Sequence, residues 1–373
     1  MPHTLVTTDA DLAEVIAGGS AADAVMVDTE FMRRDTFYPQ AALLQLCFSH
    51  TPDQAWLVDP LAITDLAPVC ALFSNAAVVK VLHSASEDLE VFERWLGVQP
   101  SPLFDTQRAA AFAGMGFSVG YRSLVEKVTG EVLDKGETRS DWLKRPLTES
   151  QMAYAAADVL PLLKIYQHLR ERLDSLDRSD WVFEDSARAA NEASQAAPAS
   201  YKKVKSAWKL SRRQLASLAA VCDWRDERAR SLDKPRSWIL PDKVCYSVAE
   251  RSPANLSELR SVPAMPAAVV RKQGEVLLDL LSEAAQLPAA ELPEPLGTPL
   301  DADERSLLKA LKRRAAEIAR GWNVEPEALL PSKDYELIVR MRDAPDAALP
   351  ERWGGWRKEP LISPLLALSR GES

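Results

Sequence analysis

Residues 24–31 read AVMVDTEF: an apolar run, Ala24 to Val27, that meets Asp28 and then Glu30. The run predicts a central strand, and the two acids stand where it ends. Residues two apart on a strand point to the same side, so both carboxylates share one face. A strand that has simply reached solvent would explain them. So would a cation site, because adjacent carboxylates repel and a bound cation removes that penalty.

Outward from this strand, Ala41–Phe48 and Ala55–Val58 are further strand candidates, and Val78–Leu82 is a fourth, after a helical stretch near Asp65–Phe73. Helices are predicted over Glu87–Leu96, Thr106–Ala113, Ser123–Val128 and Thr148–Arg172. Three closely spaced strands followed by alternating helix and strand predict an α/β domain with a mixed sheet and flanking helices.

The second half changes character. Asn191–Ser200, NEASQAAPAS, reads as a small-residue linker, and Ala289–Leu300, AAELPEPLGTPL, as a second one around Pro293, Pro295 and Pro299. Long helical patterns dominate elsewhere, such as Arg212–Arg230 and Asp303–Arg320. Shifted by 90 positions, the two segments coincide at Leu218/Leu308, Ala220/Ala310, Ala229/Ala319, Arg230/Arg320, Leu240/Leu330, Pro241/Pro331 and Lys243/Lys333. Chance among Ala-, Leu- and Arg-rich helices is the alternative. A Leu-Pro-x-Lys at the same offset after both helices favours a duplicated all-α module. The chain thus divides into residues 1–190, 201–288 and 300–373.

Two further carboxylates follow in order. Asp88 lies in VLHSASEDLEVF, after the Val78–Leu82 strand. Ser84-x-x-Glu87 fits a capping box, and acids favour a helix's first turn; this accounts well for Glu87 but only in part for Asp88. Tyr154 and Asp158 lie in QMAYAAADVLPLL, and a spacing of four puts them on one helix face. Ala155, Ala156 and Ala157 between them let that helix approach a sheet closely.

Composition narrows the chemistry. With 45 Lys+Arg against 54 Asp+Glu the net charge is −9, which argues against coating nucleic acid by bulk positive charge. At 47% hydrophobic and 27% charged the composition is ordinary for a globular chain. No run approaches a membrane span, and Met1–Asp11 has no basic stretch leading into an apolar core, so neither a membrane partner nor a secretory signal is expected. Cys47, Cys70, Cys222 and Cys245 form no C-x-x-C pair, which points to a reducing cytoplasm rather than a disulfide framework or zinc ribbon. The histidines are scattered and there is no P-loop, so no nucleotide cofactor is expected. A metal would be held by carboxylates, which suits Mg2+ or Mn2+. Four carboxylates can hold two divalent ions, which together activate a water and stabilise a leaving oxygen; Tyr154 could orient that water.

With these residues in this order, the sequence resembles ribonuclease D, of the DEDD group of 3′→5′ exonucleases, in its tyrosine-bearing subclass. VDTEF (Val27–Phe31), FYPQAALLQL (Phe37–Leu46), VLHSASEDLEVF (Val81–Phe92), TRSDWLKRPLT (Thr138–Thr148) and YAAADVLPLL (Tyr154–Leu163) carry the resemblance, which spans essentially the whole chain. It implies a DnaQ-like, ribonuclease-H-like exonuclease domain followed by two helical modules of the helicase-and-RNase-D C-terminal (HRDC) type, the second more divergent. It implies Asp28, Glu30, Asp88 and Asp158 as ligands of two divalent cations and Tyr154 as the residue that orients the water. It also implies RNA with a single-stranded 3′ end as substrate, transfer RNA precursors above all. A monomer is expected.

Candidate RNA contacts follow the same logic. Arg33 and Arg34 precede Phe37 and Tyr38, cations for phosphates beside rings that can stack on bases. Lys135, Arg139 and Arg145 frame the segment before the last acidic helix, and the resemblance favours Arg139. Tyr201–Arg236 holds eleven basic residues, among them Lys202, Lys203, Lys205, Arg212 and Arg213, against four acidic ones, a local +7. That bias is too one-sided for a face of self-compensating pairs. Lys312, Arg313 and Arg314 read as a solvated face.

Two rivals remain at this stage. Gly116–Gly120, GFSVG, satisfies the G-x-S-x-G elbow of serine hydrolases, but a helix rather than a strand is predicted before it. The other is a non-catalytic RNA-binding protein on an exonuclease scaffold, against which the intact acidic set argues.

Overall fold

Among the described residues, six strands form one mixed sheet: β1 (His3–Val6), β2 (Ala24–Met32), β3 (Gln40–Phe48), β4 (Ala55–Val58), β5 (Val79–Leu82) and β6 (Leu103–Asp105), in spatial order β1-β4-β3-β2-β5-β6. β2 pairs antiparallel with β3 and parallel with β5, so the apolar AVMV run is indeed central. β2 does not stop at the acids. It carries Asp28 and Glu30 within its pairing, and the register with β3 shifts between Glu30 and Phe31. The short β1 and β6, at the two edges of the sheet, were not foreseen. Four and three residues are too few to show an alternating pattern. The computed structural model describes residues 2–134, 136–137, 139–195, 199–344 and 346–372.

The helices of the first 195 residues are α1 (Asp9–Gly19), α2 (Ala67–Ser74), α3 (Ser86–Trp95), α4 (Thr106–Phe112), α5 (Tyr121–Thr129), α6 (Glu149–Val159), α7 (Leu162–Ser175) and α8 (Ser179–Ser194), among the described residues. Val25, Val27, Leu44 and Leu46 bury one sheet face in a core that includes Leu12 of α1, Leu72 and Phe73 of α2, and Leu89 and Phe92 of α3. Met26, Cys47, Val81 and Phe104 bury the other with Ala109, Leu124, Ile165 and Leu169 of α4, α5 and α7. The single helix expected over Thr148–Arg172 is two helices. Pro161 lacks an N–H and becomes the N-cap of α7, ending α6 on the residues before it. The linker expected from Asn191 begins later, since α8 runs to Ser194.

The chain separates into two compact units, Met1–Met32 with Gln40–Gln195 and Leu300–Ser373, and Arg33–Pro39 with Ala196–Pro299. The second unit holds α9 (Arg212–Leu232), α10 (Arg236–Ile239), α11 (Asp242–Arg251), α12 (Leu256–Ser261) and α13 (Ala267–Gln286) around Leu215, Leu218, Val221, Val244, Val248 and Leu277. The last segment adds α14 (Ala302–Trp322), α15 (Pro326–Leu329), α16 (Ser332–Arg340) and α17 (Ser363–Arg370) to the first unit. There Trp356 stacks on Trp181 of α8 at 4.1 Å and meets Phe112 of α4 edge-on at 5.2 Å. Arg357 reaches the buried Asp185 of α8 with both terminal nitrogens.

The repeat seen in sequence recurs at the same 90-residue offset for the first three helices of each segment, α9/α14, α10/α15 and α11/α16. Capping boxes open α9 at Ser211/Gln214 and α14 at Asp301/Glu304. Left-handed caps close them at Asp233 and Asn323, and proline N-caps start α11 at Pro241 and α16 at Pro331.

Candidate active site

The acidic residues converge at the end of β2. Ligand-type oxygens of Asp28, Glu30 and Asp158 all lie within 4.8 Å of one another. β2 supplies the first two from one face, and α6 brings Asp158 over that face. The alanines predicted to permit close approach do so: Ala155 and Ala156 are fully buried, and Ala155 packs with Leu43 of β3.

Asp88 lies outside that trio. It is buried in the first turn of α3, and its Oδ1 accepts a 2.5 Å hydrogen bond from Thr29 Oγ1, on the β2 residue between the two acids. The capping box expected from Ser84 to Glu87 does not form. Ser84 has φ 60°, Ala85 is the N-cap, and no side chain caps α3. The carboxylate of Asp105 takes the amides of Ser84 and Ala85 instead, at 3.1 Å each. The same side chain caps α4 through the amides of Gln107 and Arg108. The acid that ends β6 therefore fixes the turn that presents Asp88, and only a sequence reading that already had β6 could have found it.

The electrostatics match a cation site. Burial first, then repulsion from Asp158, Asp88 and Glu30, raises the Asp28 carboxyl well above its ordinary range. Glu30 is pushed up to about 9 by burial and by Asp158 and Asp88. Burial raises Asp88 to about 7 against the Thr29 hydrogen bond, and Asp158 to about 7 against the charge of Arg122. Acids this close raise one another's pKa, and the charge of Arg122 offsets only part of that at Asp158. An all-oxygen donor set of this kind fits a hard divalent cation.

Tyr154 sits one turn before Asp158 on α6, with its ring 6.1 Å from the buried Trp142. Burial and the nearby Asp158 and Glu30 raise its hydroxyl above the ordinary phenol range, so it stays protonated. Gln45 lies in the matching stretch Phe37–Leu46 and has no role assigned from sequence; its signal is an amide inside the apolar LLQLCF. It pairs with Asp28 across β2 and β3, so both side chains lie on one face. It is fully buried, and neither amide atom has a partner among the described residues. His83 has a structural role. Thr106 Oγ1 donates to the Leu82 carbonyl, so His83 Nδ1 donates to Thr106 at 2.9 Å. Burial lowers its pKa.

The expected RNA contacts divide. Arg33 and Arg34 share a 500 Å³ groove of the second unit with Phe37 and Arg236. Tyr38 packs edge-on to Phe37, and Lys202, Lys203 and Lys205 are exposed. Arg212 and Arg213 hydrogen-bond carbonyls of Leu292, Pro293 and Leu287, and Arg225 is buried between Asp226 and Asp242. Much of the local basic excess thus holds the fold. Arg139 is exposed before α6, Lys135 lies outside the described residues, and Arg145 binds Asp59 with two nitrogens at 2.6 Å. The G-x-S-x-G segment follows α4 directly, so it is no strand-to-helix elbow.

A family model described as 3′-5′ exonuclease matches residues 3–174, and an HRDC domain model matches residues 214–281. Ribonuclease D of Pseudomonas paraeruginosa is 41% identical over 365 residues, 97% of this chain and 96% of the relative. The chain belongs to the ribonuclease D family. The ribonuclease D of Escherichia coli is 36% identical over 96% of both chains. A crystal structure of E. coli RNase D, described as an exoribonuclease involved in structured RNA processing, superposes with a TM-score of 0.92 and 34% identity over 100% of this chain and 99% of that one. As a ribonuclease D, the protein is a metal-dependent 3′→5′ exoribonuclease with a ribonuclease-H-like catalytic fold and a helical HRDC domain. No described helix is long and apolar enough to cross a membrane.

Proposed function

We propose that Asp28, Glu30, Asp88 and Asp158 hold two divalent cations, Mg2+ or Mn2+, and that Tyr154 orients the attacking water. The observation that carries this reading is the approach of three carboxylates from β2 and α6 to within 4.8 Å, with Asp88 held beside them by Thr29. When bound, the cations would supply charge for the transferring phosphoryl group and its leaving oxygen. The chain's own residues do the rest. The carboxylates fix the ions, and the phenol of Tyr154, kept neutral, positions water through a hydrogen bond without taking its proton. Water adds to the last phosphorus, the P–O3′ bond breaks, and the 3′ oxygen leaves with a proton. The products are a nucleoside 5′-monophosphate and an RNA one residue shorter.

Tyr154, one helical turn before Asp158, supports the tyrosine-bearing DEDD subclass, and the 90-residue correspondence supports residues 300–373 as a second, divergent HRDC module. The substrate we infer is RNA with a single-stranded 3′ end, in transfer RNA maturation or structured RNA processing, acted on by a cytoplasmic monomer. The exposed Lys202, Lys203 and Lys205 and the groove at Arg33 and Arg34 are the favoured RNA contacts. Digestion of an end-labelled transfer RNA precursor with magnesium, with manganese and with chelator tests the reading. Mononucleotides released only with metal are the expected result. RNA binding without release under every condition would instead indicate a non-catalytic RNA-binding protein.

A further inference from the structure

We propose, resting on the two-cation reading of the acidic cluster, that Arg122 is a further catalytic residue: its guanidinium holds the non-bridging oxygens of the phosphodiester being cleaved. Arg122 is the second residue of α5, and its neighbour Tyr121 fixes where that helix begins. The Tyr121 hydroxyl donates to the Ala157 carbonyl at 3.2 Å, and its ring lies 5.4 Å from that of His83. Ala157 immediately precedes Asp158 on α6, so the start of α5 is tied to the turn that carries a candidate ligand. The charge of Arg122 is felt there. Burial raises the Asp158 carboxyl and Arg122 opposes it; burial, Asp158 and Glu30 raise the Tyr154 phenol and Arg122 opposes them. The guanidinium therefore stands near both the residue that would hold a cation and the residue that would orient the water.

Elsewhere in this unit the arginines that hold the fold touch their partners. Arg145 meets Asp59 with two nitrogens at 2.6 Å, Arg172 donates to the Ala113 carbonyl at 2.6 Å, and Arg178 donates to the carbonyls of Phe112 and Trp322 at 2.9 Å. Arg122 is half-buried and makes no hydrogen bond or ion pair among the described residues. A guanidinium built only to neutralise Asp158 would close to contact, where a charge-assisted hydrogen bond is short. Four carboxylates and two divalent cations cancel in charge, so the loaded cluster leaves Arg122 nothing to neutralise. Its planar fork of donors is left for an anion, and the phosphodiester is the anion that this site receives. In the transition state negative charge spreads over the non-bridging oxygens, and a donor already in place stabilises that charge. Arg122 neither gives nor takes a proton, so the balance of the cleavage step is unaltered.

The test makes two measurements on the full chain carrying Arg122→Met. Mn2+ binding without RNA is read from the electron paramagnetic resonance signal of the free ion, and turnover from the shortening of a 5′-labelled oligoadenylate at saturating Mn2+. The kcat should fall about a hundredfold, as for removal of one donor to a developing oxyanion. Mn2+ should bind as tightly as in the parent protein or more tightly, because a repelling charge is gone. Arg122→Lys, which keeps the charge but not the fork, should recover part of the lost kcat. Asp28→Asn should lose Mn2+ binding. A kcat in Arg122→Met within about threefold of the parent overturns the proposal and leaves the two-cation reading standing. Weaker Mn2+ binding in that variant overturns it as well, since Arg122 would then support the cluster rather than the substrate. Parent-like Mn2+ binding in Asp28→Asn is the failure of the two-cation reading itself, and the role of Arg122 falls with it.

Discussion

The two helical segments repeat one plan and hold different things with it. In the first, the left-handed cap Asp233 lends its carboxylate to the amides of Phe37 and Tyr38 at 2.9 and 3.0 Å, while Arg236 and Arg230 cover the Phe37 ring. In the second, the corner closed by Asn323 offers the Trp322 carbonyl to the buried Arg178 at 2.9 Å. The Asn323 carbonyl lies where a Cβ on Gly114 would come within 2.5 Å, so the packing and the φ of +72° both demand glycine there. A duplicated helix corner is therefore a generic socket, and the side chains placed in it decide its contents. One copy holds the Phe37–Tyr38 segment. The other turned aromatic and arginine side chains toward the catalytic fold.

Neither helical segment contains the acidic cluster. Asp28→Asn should lower turnover at least about a thousandfold while RNA binding persists. In chelator the same variant should unfold at equal or higher denaturant, because a repelling charge is gone. Near-normal turnover would overturn the ligand assignment. Within the first unit, Arg357→Met should cost about 3 kcal/mol in chemical denaturation, since it strips the bidentate partner from a buried carboxylate. A change below about 0.5 kcal/mol, the level of ordinary surface substitutions, would show that the second segment is not clamped there.

Charge reversal separates the copies by function. Lys202, Lys203 and Lys205 changed together to Glu should weaken RNA binding and flatten its log–log salt slope by about 2. The same change at Lys312, Arg313 and Arg314 should leave the slope as it was. Equal effects would erase the distinction. Acid sharpens it further. Burial pushes Asp185 up, but the hydrogen bonds and charge of Arg357, with Arg188 and Arg108, outweigh burial and hold its carboxyl below the usual range. A depressed folded value gives stability that is complete above the unfolded pKa near 4 and lost as pH falls through the folded one. Asp185→Asn should therefore show a flatter loss of stability in acid than the parent protein. The smallest effects belong to the caps. Asp233→Ala should cost about 1–2 kcal/mol, combining two freed amides with a left-handed alanine, and Asn323→Ala about 1 kcal/mol from conformation alone. Thermal melts of the two variants, compared directly, test that order.

The sheet centre was legible because AVMV and LLQLCF are apolar enough to announce buried strands, and the acids interrupt the first of them. The edge strands were not, being too short to carry a period. Tyr154 and Asp158 were readable from helical spacing, although the proline that splits their helix from the next was overlooked. The reach of Asp105 from β6 to the α3 turn is a long-range contact with no local signature, and Thr29 looked like a spacer between two acids. Basic residues were counted correctly and interpreted too generously. Sequence gives charge, but whether an arginine faces water or a carbonyl is decided by packing.

Because Leu300–Ser373 folds into the same unit as the sheet, the nuclease core is not finished when its own stretch of chain has left the ribosome. Until Trp356 and Arg357 emerge, Trp181 and Phe112 meet each other but lack the indole that covers both, and Asp185 lacks its bidentate guanidinium. A nascent or prematurely stopped chain would thus display a greasy, acidic scar beside a formed sheet, a mark that chaperones and proteases can read. Completion of synthesis becomes a condition for a fully closed RNA-degrading enzyme.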